Sequence, residues 1–336
     1  MTTTSQTGRP HHRTATGEPP PAVRAAGIVA VLCAAMAIVA LAFALPATRS
    51  APHGVPIGIA GPQAANGRVA DTLEQRAPGA FAVTYYPGED ALRDAIAERH
   101  VYGGLALDPA GPTMLIASGA SPAVAQLLTQ IGTGMAEQTG RPPAIEDVAP
   151  LPADDPRGAG LAASALPVTL AGILPAVALV FALRREVWTR LGAAVAFAGA
   201  AALTIAALLV YVLGSVEHNF WGVTAGLTLG LLGCGLPILG LGSVFGRTGL
   251  AVGAVLALLL GNPLSGLTSA PEMLPSGWGT LGQWLPQGAN ATLLRSTAYF
   301  DGAGATSAVV VLTCWALAGA ALVAIAAVRG RSRAIA

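Results

Sequence analysis

The apolar residues of this chain are gathered into membrane-length stretches, and the layout of those stretches limits the folds open to it. One stretch, residues 25–46, stands alone; a water-soluble stretch follows to about residue 160; a block of further apolar stretches ends at residue 328. Crossing a hydrocarbon core takes about 20 apolar residues in a helix. The chain therefore reads as an α-helical polytopic membrane protein with one sizeable domain on one side of the bilayer. Its composition points the same way, with 53% hydrophobic and 10% charged residues against about 25% charged in soluble domains.

A net charge of +1 gives no ground for a nucleic-acid partner. All 18 basic residues are arginine. Without lysine there is no standard phosphate-binding loop with which to hydrolyse ATP. Cys33, Cys234 and Cys314 all fall in apolar stretches. No disulfide framework is therefore expected in the soluble domain, and the three read as small buried hydrophobes.

Residues 1–24 are rich in Pro, Thr and Arg without apolar periodicity and read as a disordered tail. Residues 25–46 read as transmembrane helix 1. The run is longer than the about 7–15 residues of a signal-peptide core, although Leu45-Pro46-Ala47 resembles a weak cleavage site. Five more spans are expected within 161–328: Leu161–Leu183, Leu191–Leu213, Phe220–Phe245, Thr248 to about Gly261, and about Thr306–Val328. Arginines mark the N-terminal tail, the 184–190 loop, the Arg247 turn and the tail 329–336, whereas the 214–219 loop has none. By the positive-inside rule the arginine-bearing side is cytoplasmic. Six spans with both termini inside follow, and residues 47–160 are expected to be an extracytoplasmic domain and linker in the cell membrane.

That domain reads as a small α/β module. Val55, Ile57 and Ile59 alternate as in a strand, Val69, Leu73 and Ala77 recur at helical spacing, and Phe81–Tyr86 is strand-like. Glu89–Arg99 follows as a helix, then strands at Val101–Leu107 and Thr113–Ala117 around the turn Asp108-Pro109-Ala110-Gly111-Pro112. Ser121-Pro122 caps a helix running to about Glu137, and Pro142–Pro156 is a linker, which gives the order βαβαββα. Asp90, Asp94 and Glu98 beside Arg93 and Arg99 read as a solvated helix face. No His/Cys/carboxylate cluster has metal spacing and no catalytic motif is present, so neither an enzyme nor a cofactor is expected. The domain reads as a binding or docking module.

Within the membrane block, Gly222, Gly226 and Gly230 repeat every four residues, a spacing that lets helix backbones approach closely. They serve either packing within the bundle or a dimer face. Charges inside the spans are almost absent, which argues against a proton-driven antiporter. Glu217-His218 reads as a solvated pair at a span end. Segment 262–305 is moderately apolar but broken by Pro and Gly. Two short helices that enter the outer leaflet and return suit it, since broken backbone at membrane depth must be buried in protein or line a cavity.

The run Pro271-Glu272-Met273-Leu274-Pro275 through Trp284-Leu285-Pro286 to Leu294-Arg295 resembles the re-entrant hairpin before the last span in the ABC-2 type transporter membrane-subunit superfamily. Glu89–Leu107 resembles the N-terminal domain of its YhgE/Pip-like (phage infection protein) branch, and the likeness extends from residue 25 across nearly the whole chain. The resemblance implies a homodimer or heterodimer in the lipid bilayer, docked on a separate ABC ATPase, that exports a lipid, drug or polymer. It places the ATPase-coupling loop at Arg184, Arg185, Glu186 and Arg190. The outer gate would be Pro271, Pro275, Trp284, Pro286 and Arg295. Two features depart from the family pattern: the coupling loop is very short, and no amphipathic helix precedes the first span. Members of the branch also include phage-adsorption and secretion accessory proteins, so the alternative is a receptor, scaffold or secretion accessory acting through the extracytoplasmic domain.

Overall fold

A computed structural model describes residues 20–108, 111–139 and 144–335. Most of the N-terminal tail, Pro109 and Ala110 of the expected turn, and the start of the expected linker at Pro142 lie outside the described residues. Helix α1 (Pro21–Thr48) is apolar on all sides. Its residues to Leu41 belong to one unit, and residues 42–336 form a second.

The second unit begins with an α/β domain. Strand β1 (Val55–Ala60), helix α2 (Gln63–Arg76), β2 (Phe81–Tyr86), α3 (Glu89–Ala97), β3 (Gly103–Asp108), β4 (Gly111–Ile116), α4 (Pro122–Thr139) and β5 (Ala144–Asp147) follow in order. The strands form one sheet, β2-β1-β3-β4-β5, in which only the β3–β4 pair is antiparallel. Each face buries a separate apolar cluster. Leu92 and Ile96 of α3 pack with Ala106 and Leu115 on one side; Val69 and Leu73 of α2 join Val124 and Leu128 of α4, Ile57 and Leu105 on the other. Burying one such aliphatic side chain contributes about 1.5–3 kcal/mol. At the centre Gly104 pairs with Gly58, and a side chain on Gly104 would strike the Gly58 backbone.

Strand β5 falls in the stretch expected to be a linker. It holds little apolar signal, with Ile145 46% exposed. Backbone pairing with β4 and an ion pair from Arg93 to Glu146 hold it instead. Helix α3 also stops two residues before its expected end, because Arg99 adopts a left-handed backbone, φ 63°.

The membrane block comprises α5 (Ala159–Ala163), α6 (Ala165–Ala182), α7 (Val187–Ala207), α8 (Phe220–Phe245), α9 (Arg247–Leu256), α10 (Trp278–Trp284), α11 (Pro286–Tyr299) and α12 (Thr306–Ile335). Helices α7 and α9 each end in a five-residue π turn. Among the described residues, five helices are long and apolar enough to cross a membrane: Pro21–Thr48, Ala159–Ala182, Val187–Val212, Phe220–Phe245 and Thr306–Arg329. The stretch expected as a further span is the shorter apolar helix Arg247–Gly261. At about 1.5 Å per residue it reaches about 22 Å, less than the ~30 Å of a hydrocarbon core.

Helix α8 is the hub. Glycines let its neighbours approach: Gly172 of α6 meets Cys234 and Gly235, while Gly233 and Gly240 meet Leu312 and Gly319 of α12. With Val180 of α6 beside Gly242, these pairings run both α6 and α12 parallel to α8. The α6–α7 turn, the Gly246-Arg247 turn and the end of α12 therefore share one end of the bundle. The 214–219 loop shares the other with the α/β domain. Cys234 is buried as expected, whereas Cys33 and Cys314 lie exposed on helix surfaces.

Candidate functional site

The 262–305 segment forms a 3-10 turn at Pro271–Met273 followed by α10 and α11. Proline at the first position of α11 suits a helix start, where no backbone N–H is needed. Helix α11 runs antiparallel to the first half of α8, with Asn290 against Gly230 and with Leu293 and Thr297 against Gly226. Asn219 caps α8 by accepting from Gly222 N at 3.1 Å and donates to Thr297 O at 2.9 Å. Gly222 thus faces its own cap, while Gly226 and Gly230 are taken up by α11 of the same chain.

The α/β domain sits directly on this segment and is held there by polar contacts from several elements. Ser121, whose hydroxyl accepts from Val124 N at 3.3 Å to cap α4, donates to Ser269 O at 2.9 Å. The backbone at Ala51 and His53 donates to Met273 O and Glu272 O. Tyr102 donates to Glu272 Oε2 at 2.8 Å. Arg99 donates to Thr292 O at 3.2 Å and to Ser296 Oγ, and its guanidinium lies 5.2 Å from the centre of the Phe300 ring. Apolar side chains complete the seat: Ala270 and Met273 join the α2/α4 cluster, and Tyr299 and Phe300 join the α3 cluster.

Burial sets the electrostatics of this seam. It lowers the proton affinity of Arg99, against the opposing pull of Tyr102 and Glu272. Burial, and after it Glu272, push the Tyr102 phenol well above its ordinary range. The phenol therefore stays protonated and keeps its donor role. Two polar cavities open here, of about 200 and 430 Å³, and Pro271, Glu272 and Gln283 line both. Gln283 accepts from Thr292 Oγ1 at 2.7 Å, while its amide nitrogen has no hydrogen-bond partner.

Of the gate residues expected from sequence, Pro271, Pro275 and Trp284 line the larger seam cavity. Pro286 faces a different, apolar cavity of about 130 Å³ beside Cys234 and Trp315. Arg295, 6% exposed, donates to Gly266 O and Leu267 O and braces the segment from within. At the opposite end, Arg184, Arg185 and Glu186 are exposed in a short turn. No separate helix lies between α6 and α7. Arg190 is 4% exposed; it donates to Leu183 O, Arg184 O and Ser243 Oγ and so closes that turn.

Sequence reading placed Arg99 on a solvated helix face, whereas its side chain is taken into the seam by Thr292 and Ser296; it missed Tyr102 and Gln283. The Arg99 position, two residues past a helix end and without glycine, carries no local signal of its role, and Tyr102 and Glu272 are 170 residues apart. Comparison with protein-family models, curated proteins and solved structures yields no match.

Proposed function

We propose that this chain is the membrane-spanning, permease-like subunit of an ABC-2 type exporter, driven by a separate ATPase subunit. The reading rests on one observation above the rest: a helix of partial depth, α11, is buried against α8 and bonded at its end to a folded polar domain. In this reading the short α9 and the segment after it return the chain to the outer side as the fifth span, and α10 and α11 form the re-entrant hairpin. Helix α12 then crosses, which makes six spans with both termini cytoplasmic. The seam cavities act as the extracytoplasmic gate, and a substrate leaving the membrane passes polar groups that move with the α/β domain. Two copies, or one copy and a homologous partner, complete the path.

The exposed turn at Arg184, Arg185 and Glu186 then faces the ATPase, with Arg190 holding its shape. Replacing both exposed arginines (Arg184→Glu with Arg185→Glu) should release the ATPase from the purified complex while membrane insertion is retained. Retention of the ATPase by that variant would contradict the coupling assignment. The alternative is a receptor, scaffold or secretion accessory acting through the α/β domain. It is favoured by the absence of a separate docking helix between α6 and α7, and it predicts that no ATPase accompanies the chain at all.

A further inference from the structure

Beside the α10–α11 junction, α8, α9 and α12 leave the apolar cavity of about 130 Å³ that Pro286 faces. Its floor, with Cys234, Ile238 and Ala257, is buried, whereas Leu256, Leu260 and Trp315 at its mouth are exposed. Cys234 lies near the middle of α8, a helix of membrane-crossing length, so the mouth opens at hydrocarbon depth, to lipid rather than water. The Trp315 indole N–H is taken by Trp284 O at 2.9 Å, which leaves Gln287 as the strong polar group of the lining. Gln287 is 8% exposed, and its side chain makes no hydrogen bond among the described residues. Gly261 makes room for its amide, which a side chain at that position would strike. No charged residue lines the cavity. The junction is a shared wall: Gln283 and Trp284 line the larger seam cavity, and Leu285, Pro286 and Gln287 line this one.

We propose that a long-chain alcohol enters this cavity from the bilayer, hydroxyl end first, and hydrogen-bonds to Gln287. An amide offers a donor and an acceptor, and a hydroxyl matches both. The volume is close to the roughly 150 Å³ of an engineered apolar cavity that binds benzene. It takes the hydroxyl and the first few carbons, and the rest of the chain stays among lipid tails. A hydroxyl without a partner costs about 4–8 kcal/mol in hydrocarbon, so the amide decides whether it stays. A carboxylate or phosphate costs far more, and the positive end of α11 beside Gln287 is not a full counter-charge. Binding stands on this geometry alone; passage of the alcohol across the junction to the seam rests on the exporter reading.

The test uses the full-length protein in nanodiscs and hexadecanol carrying a diazirine near its hydroxyl end, with cross-linked peptides mapped by mass spectrometry. Labels are expected on residues 234–241, 256–260 and 285–287. Hexadecanol should compete about tenfold better than hexadecane or palmitate, the worth of one hydrogen bond. Gln287→Leu, which keeps the bulk and loses the amide, should abolish that preference while labelling persists. Leu260→Trp, at the exposed mouth, should block the label. Labels spread over the lipid-facing helices without concentration at the cavity would overturn the inference. So would equal competition by hexadecane or palmitate, an unchanged preference in Gln287→Leu, or cross-links that show a second copy of the chain filling the cavity. A labelled cavity in a chain that purifies without an ATPase would end the exporter reading and leave the site standing.

Discussion

Arg99 connects local backbone geometry to the seam. Its N–H donates to Ile96 O and the His100 N–H to Ala95 O, the pair of bonds that ends a helix with a left-handed residue. Glycine usually fills that position, and a side chain there costs about 1–2 kcal/mol. Here the side chain reaches α11 in return. Arg99→Gly should therefore leave α3 and the sheet intact while the seam loses hydrogen bonds from a charged donor, worth about 1.5–3 kcal/mol. Hydrogen exchange should speed up in 271–299 and stay unchanged in β1–β3; equal acceleration in both would mean that Arg99 serves only the domain fold. Arg93 plays a different part, joining Glu89 of its own helix to Glu146 of β5. The Arg93 hydrogen bonds hold the Glu146 carboxyl below its ordinary range. That contribution is complete above the ordinary glutamate pKa of about 4.3 and is lost as the pH falls through the depressed folded value. Exchange of 144–147 should accelerate selectively in acid, and Glu146→Gln should exchange fast at neutral pH as well; a pH-independent wild type would remove the ion pair from the account.

Among the elements, α11 depends on the glycines opposite it. A side chain at Gly230 would collide with Asn290, so Gly230→Leu should displace α11 and cost about 1–3 kcal/mol by overpacking. A lowered unfolding temperature in detergent would show this, whereas unchanged stability would imply that α11 has room to move. The sequence was most readable where one apolar face dominates. Strand β2 spans Phe81–Tyr86 as its composition suggests, and the serine cap before α4 lies where the Ser-Pro pair indicates. Strand β5 was not readable, since edge pairing and one ion pair leave no hydrophobic period. The stretch expected as the fifth span forms a helix shorter than the five span-length ones, because apolar content alone does not show where a helix stops. The glycine stripe announced close packing on α8 but not its partner, which lies about 60 residues further along the chain.

At the scale of the whole molecule, the α/β domain is seated on the α10–α11 pair rather than tethered by a linker. Contacts from Ala51, His53, Arg99, Tyr102 and Ser121 converge on residues 269–296. These contacts tie that helix pair to the domain, as the proposed gate requires. None of this seam could be read from the sequence, because its partners are separated by between 148 and 223 residues. The exposed turn at Arg184 and Arg185 was legible from its charge, although the buried role of Arg190 beside it was not. In the proposed exporter the seam and this turn are the two ends through which the ATPase would act. The direct measurement is purification of the protein from its own membranes in mild detergent, with quantitative mass spectrometry of what accompanies it. The exporter account predicts an ABC ATPase in stoichiometric amount; recovery of the chain alone, or with secretion components and no ATPase, would contradict it.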